Sequence, residues 1–252
     1  MKIIIESWRK FLQEQNATLP DDAQEFLNTA KAAADDILSK NKETGFSSNI
    51  NQNHVQHAKT EYVKFKKGKL HEHEPEAWEI IAGYYKHSGI NWLVNMIRKG
   101  YYKKQPNRHP WSAAWIQYCM RDNADFKKLQ HSSSNVVNHK WYWKAARDNT
   151  NTFTKDASKL EPSAWIFLTD KQMKEIGYTL QVGDIAMAKG VTGPYHGDIV
   201  TDIGKIGGNL KGKDSNPKLS GTCTITNSKT YAVVTQNPMA KEKLFNKIKP
   251  VS

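Results

Sequence analysis

The segment that decides the fold reads His109-Pro110-Trp111-Ser112-Ala113-Ala114-Trp115-Ile116-Gln117-Tyr118-Cys119-Met120-Arg121. Pro110 ends whatever element precedes it and favours an extended His109, whereas the residues after Ser112 favour or tolerate a helix. We therefore predict that a buried helix begins at or next to Ser112. A hydroxyl there lies against the positive end of the helix dipole, which favours negative charge, so Ser112 is a candidate nucleophile. Because Ser is also a preferred N-cap, a plain capping role is the alternative interpretation.

Helical patterns surround this segment, and strand patterns follow it. Residues 74–89 and 91–98 carry apolar residues at helical spacing, and Ser132-Ser133-Ser134 can cap a helix from Asn135 to Arg147. Short apolar runs between Gly and Asn residues predict strands at 165–168, 184–188, 198–201 and 230–234. Helices first and strands later predict an α+β domain in which helices pack on an antiparallel sheet.

One part of the central segment resembles a known family. The stretch Pro110-Trp111-Ser112-Ala113-Ala114-Trp115-Ile116 is similar to the Pro-Trp-Cys-Ala-Ala-Phe-Val segment of NlpC-like and CHAP-like cell-wall hydrolases. In that superfamily the Cys at the helix start is the nucleophile, and Ser112 stands at its position; some branches resemble this sequence more closely because they carry Ser there. The resemblance spans residues 74 to 235. It implies a papain-like, NlpC-type domain with the nucleophile helix before the strand that bears the catalytic His.

Two later motifs follow the order of that family. Its Gly-Asp strand and its His-bearing strand are matched by Gln181-Val182-Gly183-Asp184-Ile185 and by His196-Gly197-Asp198-Ile199-Val200. The resemblance makes His196 the base, and it makes Asn209, in Ile206-Gly207-Gly208-Asn209, the residue that orients the imidazole. The residues alone leave alternatives open, because a lone His before a strand is commonly structural or exposed, and Gly-Gly-Asn is a good turn.

Acyl transfer is the reaction class that this set supports. A hydroxyl is barely ionised at neutral pH, so it needs a base within hydrogen-bond reach, a partner that orients the base, and N–H groups toward an oxyanion. The resemblance implies a peptidoglycan amidase or peptidase, such as a phage endolysin, with the catalytic residues Ser112, His196 and Asn209. The expected substrate-binding residues are Trp111, His139 and Tyr195, although the residues alone favour a packed or surface role for His139. The alternatives are a non-catalytic virion or binding protein on the same fold, and a thiol hydrolase disarmed by a Cys-to-Ser exchange.

The sequence predicts neither a cofactor nor a metal site. The six residues with ligand chemistry near the start of the domain match no zinc spacing, and no Cys joins them; they are His54, His57, His71, Glu72, His73 and Glu74. Cys119 and Cys223 do not make a disulfide framework. Apolar neighbours in the predicted helix favour Cys119 as a core thiol over a nucleophile.

The charge of the chain favours an anionic partner. Among its 252 residues, 37 Lys and Arg stand against 25 Asp and Glu, which gives a net charge of +12. The Lys residues are scattered, and no zinc-finger, RNA-recognition or helix-turn-helix signature is present, so nucleic acid ranks behind an anionic cell envelope as the partner.

The first part of the chain predicts a separate helical element. Ile4, Trp8, Phe11 and Leu12 form one helical stripe, and a second helix opens at Pro20, so residues 1–50 predict an α-helical hairpin with a polar linker over 40–58. The hydrolase domain is predicted over residues 51–252. Virion or tail proteins are the expected partners of the hairpin.

The N-terminus does not read as an export signal. Its apolar run is three Ile residues followed by Glu6, and no stretch approaches the roughly 20 apolar residues of a membrane span. We therefore expect no signal peptide and no membrane span, and delivery to the bacterial envelope by a phage particle or a secretion device.

Overall fold

The computed structural model describes residues 53–101, 111–129, 138–156, 159–161, 163–189, 196–211 and 220–248. The chain divides into two units, Met1–Asn49 and Ile50–Ser252, and every described residue belongs to the second. The helical hairpin predicted for residues 1–50 lies outside the described residues.

Eight helices and six strands form the described part of the second unit. The helices are α1 Asn53–Lys64, α2 Pro75–His87, α3 Asn91–Arg98, α4 Ser112–Cys119, α5 Ala124–Lys127, α6 His139–Lys155, α7 Asp170–Glu175 and α8 Pro238–Ile248. The strands are β1 Ile166–Thr169, β2 Ile185–Ala188, β3 His196–Thr201, β4 Gly204–Lys211, β5 Ser220–Thr226 and β6 Ala232–Thr235. None of the described helices is both long and apolar enough to span a membrane.

The described strands build one antiparallel sheet in the order β1-β6-β2-β3-β4-β5. The predicted α+β class with an antiparallel sheet is confirmed, and β1, β2, β3 and β6 lie where apolar runs predicted them. The structure adds β4 and β5. The Ile206–Asn209 stretch is therefore part of a strand and not a turn.

Each face of the sheet is covered by helices. Because side chains alternate along a strand, Phe167 of β1 joins the large core formed with α2, α4 and α6, whereas Ile166 and Leu168 join a second cluster with α7 and α8. The largest fully buried side chains of the main core include Trp111, Trp115, Trp165, Tyr84 and Tyr142. Burial of this aromatic surface is the main force that holds α4 and α6 against the sheet.

Two predicted boundaries are wrong. The linker predicted over 40–58 overlaps α1, whose buried His54 donates Nε2–H to the Gly183 carbonyl at 2.9 Å, so its end belongs to the core. The helix predicted from Asn135 begins at His139, because Asn138 is its N-cap and accepts from the Lys140 N–H at 2.8 Å. The three Ser residues expected to cap it lie outside the described residues.

The edge strand β5 is covered by the chain after α1. The segment Lys66–Gly68 is a 3₁₀ turn. Its Gly68 packs against Thr224, and the Glu72 N–H donates to the Gly221 carbonyl at 2.8 Å. Such cover prevents the edge from pairing with another chain.

Candidate active site

Ser112 is the first residue of α4, as the sequence predicts, but it does not cap the helix. Trp111 holds the N-cap position, and among the described residues no side chain caps α4. The Ser112 side chain is buried, with 5 % of the residue exposed, and its Oγ lies 2.8 Å from His139 Nε2. The capping interpretation is therefore wrong, because the hydroxyl is used in a bond to an imidazole.

His139 continues this bond into a short buried chain of polar groups. Its Nδ1 lies 2.6 Å from the Tyr142 hydroxyl, which donates to the Met187 sulfur at 3.8 Å. A neutral imidazole donates from one nitrogen and accepts at the other. In the arrangement that prepares Ser112 for attack, Nε2 accepts from the Ser112 hydroxyl and Nδ1 donates to Tyr142, whose own proton is then directed at the sulfur.

The environment keeps His139 neutral. Burial is the main cause that lowers the pKa of His139 well below its usual 6.5, and the nearby His196 lowers it further. Ser112 and His139 are each the first residue of a helix, so two positive helix ends act on the bond between them. A neutral imidazole is the form that can accept a proton from a hydroxyl.

His196, the base predicted from the sequence, lies next to the Ser112–His139 pair and is not the hydrogen-bond partner of Ser112. His196 begins β3, and its ring centroid lies 5.3 Å from that of His139 at an interplanar angle of 63°. Its Nε2 is 3.0 Å from Oδ1 of Asp198, which is 1 % exposed. Ser228 Oγ donates to the other Asp198 oxygen at 3.4 Å. The hydrogen-bond partner of Ser112 is therefore His139, whereas His196 is paired with a carboxylate.

Gly197, between His196 and Asp198, has no room for a side chain. A Cβ there would overlap the Tyr142 hydroxyl and lie 3.1 Å from the Ile185 side chain and 3.4 Å from His139 Nδ1. The glycine thus lets β3 pass directly against the His139–Tyr142 pair.

Trp111, predicted to bind substrate, is fully buried and supports α4 from the core. Its Nε1 donates to Glu72 Oε2 at 3.0 Å, and its ring stacks on Phe65 and Tyr84 at 5.1 and 5.7 Å. A side chain with no exposed surface cannot contact a substrate, so that prediction is corrected. At Gly208 a Cβ would lie 2.7 Å from the Trp111 ring, which explains the glycine there.

The side chains of two predicted site residues lie outside the part of the chain that the structure describes. Tyr195 lies outside the described residues. Asn209 is in β4, the strand paired with β3, but its side chain also lies outside the description.

Asp184 of the Gly-Asp motif has a structural role. Its Oδ2 accepts from the Tyr178 hydroxyl at 2.8 Å and from the Gln181 N–H at 2.9 Å, so it closes the turn that leads into β2. Burial raises the pKa of Asp184 to about 6. The carboxylate lies at the Gly183 end of β2, where it holds backbone and not the imidazoles.

The thiols are core residues. Cys119 and Cys223 are free and fully buried, and burial raises the pKa of each thiol well above 9.0. A thiol with a raised pKa is a poor nucleophile, in agreement with the core role predicted for Cys119. Within the described ranges, no three His, Cys, Asp or Glu residues lie close enough together to hold a metal ion.

Two residues of the cluster were missed in the sequence, although each had a local signal. Tyr142 follows His139 by three residues, so the two share a helix face. Asp198 follows His196 by two residues, so the two share a strand face.

Comparisons with protein-family models, with curated proteins and with solved structures give no match for this chain.

Proposed function

We propose that this chain is a hydrolase that cuts an amide bond in the peptide part of peptidoglycan by acyl transfer, with Ser112 as the nucleophile. The observation that carries the proposal is the 2.8 Å contact between Ser112 Oγ and His139 Nε2 at the start of α4. A hydroxyl held by a neutral imidazole at a helix N-terminus has the three requirements of a serine nucleophile: a base, an oriented proton and nearby N–H groups. The similarity of the Trp-Ser-Ala-Ala segment to cell-wall hydrolases supports peptidoglycan as the substrate.

The reaction follows from the contacts. Ser112 Oγ forms a bond to the carbonyl carbon while His139 Nε2 takes the hydroxyl proton. The C–N bond then breaks, and the leaving amine takes up a proton from the imidazole pair. Water attacks the resulting ester and gives a proton to the base. The bond between the acyl carbon and Ser112 Oγ then breaks, and the base returns that proton to Oγ as the carboxylic acid leaves. The Tyr142 oxygen holds the positive imidazole through Nδ1–H.

His196 is the second proton-transfer group in this proposal. It is partly exposed, with 21 % of its side chain accessible, and its ring contacts that of His139. His196 Nε2 lies 3.0 Å from the buried Asp198 carboxylate, and its ring lies against that of His139, so His196 can help to pass the proton taken up by His139 to the leaving amine. In this proposal Asp198 orients His196, and the orienting role that the family resemblance gives to Asn209 stays a prediction.

The net charge of the chain and the prediction that it has no signal peptide bear on how the enzyme reaches its substrate. A chain of +12 is attracted to the anionic envelope of bacteria. We propose that a phage particle or a secretion device delivers the enzyme, with virion or tail proteins bound by residues 1–50.

The test is mass analysis of purified peptidoglycan incubated with wild type and three variants. Ser112→Ala should abolish release of peptides, and His139→Gln should lower the rate about 10²- to 10⁴-fold, the typical contribution of a general base. His87→Gln is the matched control, because His87 is an exposed residue at the end of α2 whose ring contacts that of Tyr118 on α4, outside the cluster. Loss in His87→Gln equal to that in His139→Gln would contradict the assignment.

The pH dependence adds a second criterion. Since the pKa of His139 is lowered, its neutral form persists into acid, and the acid limb of kcat should lie well below pH 6.5. A limb above pH 6.5 would contradict His139 as the base.

A non-catalytic role is the second candidate, and the low exposure of Ser112 and His139, 5 % and 9 %, favours it. On this hypothesis the hydrogen bond only fixes α4 against α6. The variant Ser112→Cys separates the cases, since a thiol ionises more readily beside an imidazole. Activity only in Ser112→Cys indicates a disarmed thiol enzyme. If wild type and both variants are folded and none shows activity, the hydrogen bond has only a structural role.

A further inference from the structure

The loop between β5 and β6 borders the candidate active site at two points. Ser228 Oγ donates to Oδ2 of Asp198, the buried carboxylate of the site, at 3.4 Å. Three residues later, the Tyr231 N–H donates to the Met187 carbonyl at 2.8 Å, and the sulfur of Met187 accepts from Tyr142. The loop therefore contacts the Asp198 side chain of β3 and the backbone of β2.

Several hydrogen bonds hold this loop in one conformation. The Lys205 ammonium donates to the Ser228 carbonyl and, at 3.2 Å, to Thr230 Oγ1. The Ser228 N–H donates to Thr226 Oγ1 at 3.1 Å, and the Tyr231 carbonyl accepts from the N–H of Asp170 at 2.8 Å. A loop that is already ordered loses little entropy when a ligand binds to it.

The same loop presents an aromatic ring and a cation to solvent. Tyr231 is 38 % exposed, and the Lys229 ammonium lies 5.3 Å from the centroid of its ring. The stretch Asn227-Ser228-Lys229-Thr230-Tyr231 contains no carboxylate. An exposed ring beside a cation fits a ligand that offers an apolar face and a negative charge.

We propose that Tyr231 and Lys229 form a subsite that binds the free carboxylate and an adjacent apolar side chain of a short peptide. The inference rests on the proposed function, since the stem peptides of peptidoglycan are short and carry free carboxylates. The subsite makes acidic stem peptides the preferred substrates and discriminates against their amidated forms.

The test measures binding to the full chain carrying Ser112→Ala, by calorimetry or NMR titration. The probe is the synthetic tetrapeptide L-Ala-γ-D-Glu-L-Lys-D-Ala, compared with the same peptide with its carboxyls amidated. Tyr231→Ala should weaken binding of the acidic peptide about tenfold, and Lys229→Met should weaken it about fivefold while leaving the amidated peptide unaffected. The matched controls are Ile203→Ala, an exposed apolar residue, and Lys171→Met, an exposed lysine on α7.

The outcomes separate the subsite from the reaction. Binding that depends on Tyr231 and Lys229 supports the subsite even where wild type cuts no peptidoglycan, and that silence counts against the proposed function alone. Absence of peptide binding, equal losses in the control variants, or hydrolysis by a Tyr231→Ala, Lys229→Met double variant with unchanged KM would overturn the subsite. Hydrolysis with unchanged KM would leave the proposed reaction standing.

Discussion

The triplet Gly-Asp-Ile occurs twice in the sheet, at Gly183-Asp184-Ile185 and at Gly197-Asp198-Ile199, and the two copies do different work. In the first copy the glycine has a positive φ of 97° and the carboxylate binds a phenol and a backbone N–H, so the triplet closes a turn. In the second copy the glycine lies inside β3, and its carboxylate lies 3.0 Å from an imidazole. The two isoleucines face each other across β2 and β3.

The contrast shows that the structural surroundings of the triplet, and not its amino-acid sequence, decide its role. A carboxylate whose acceptor positions are taken by a phenol and backbone stabilises structure. A buried carboxylate 3.0 Å from an imidazole that itself lies against the candidate base is an arrangement typical of proton-transfer sites. Exchanging each carboxylate for its amide therefore separates a structural role from a chemical one.

The largest effect is expected for the stability of Asp184→Asn as a function of pH. The folded pKa of Asp184, about 6, is above the unfolded value of 3.8, so its contribution to stability is complete below pH 3.8 and is lost as the pH rises through 6. The loss amounts to about 3 kcal/mol at neutral pH. The amide oxygen can keep both bonds to Tyr178 and Gln181, so urea unfolding should show Asp184→Asn gaining on wild type between pH 4 and pH 8. A constant difference across that range would contradict the role of the buried charge.

The next effect concerns activity. Asp198→Asn removes the negative charge that lies 3.0 Å from His196 Nε2, beside the proton-transfer groups, so kcat should fall roughly 10- to 100-fold with KM unchanged. Asp184→Asn is the control and should leave kcat unchanged at a temperature where both variants are folded. Equal losses of kcat in the two variants would mean that Asp198 acts only through folding.

The smallest effect is expected for the glycines. Gly197→Ala forces a methyl group onto Tyr142 and His139, and it should lower the free energy of unfolding by about 1 to 2 kcal/mol. Gly83 in the middle of α2 is the matched control, because a Cβ there meets no atom within 4 Å. Gly83→Ala should stabilise the protein by up to about 1 kcal/mol. Thermal unfolding of both variants checks this, and equal shifts would show that β3 does not press on the imidazole.

The elements with one-sided or continuous apolar patterns could be predicted from the sequence. The helices α2, α3 and α4 and the strands β1, β2, β3 and β6 follow from apolar periodicity and from Pro and Gly boundaries. Strands β4 and β5, Gly204–Lys211 and Ser220–Thr226, are rich in Gly, Lys, Ser and Thr and carry few apolar residues, so their pairing depends on tertiary contacts.

The partner of Ser112 could not be predicted for a similar reason. Ser112 and His139 are 27 residues apart, and their contact depends on how α4 and α6 cross over the sheet. Nothing local distinguishes His139 from His196, and the family resemblance pointed to the latter. Asp198 could have been predicted from the sequence, since residues two positions apart on a strand share a face, as Asp198 and His196 do.

The most direct test of the central claim is labelling of Ser112 by an alkyl fluorophosphonate, which requires no knowledge of the substrate. The Ser112 oxygen forms a bond to phosphorus, fluoride leaves, and the hydroxyl proton passes to the imidazole. Intact mass and peptide mapping of the wild-type chain should show one adduct, on the peptide that contains Ser112. The labelling rate should fall about 10²- to 10⁴-fold in His139→Gln and stay unchanged in His87→Gln. A folded wild-type protein that gains no adduct at Ser112, or one that labels equally fast without His139, would contradict the account.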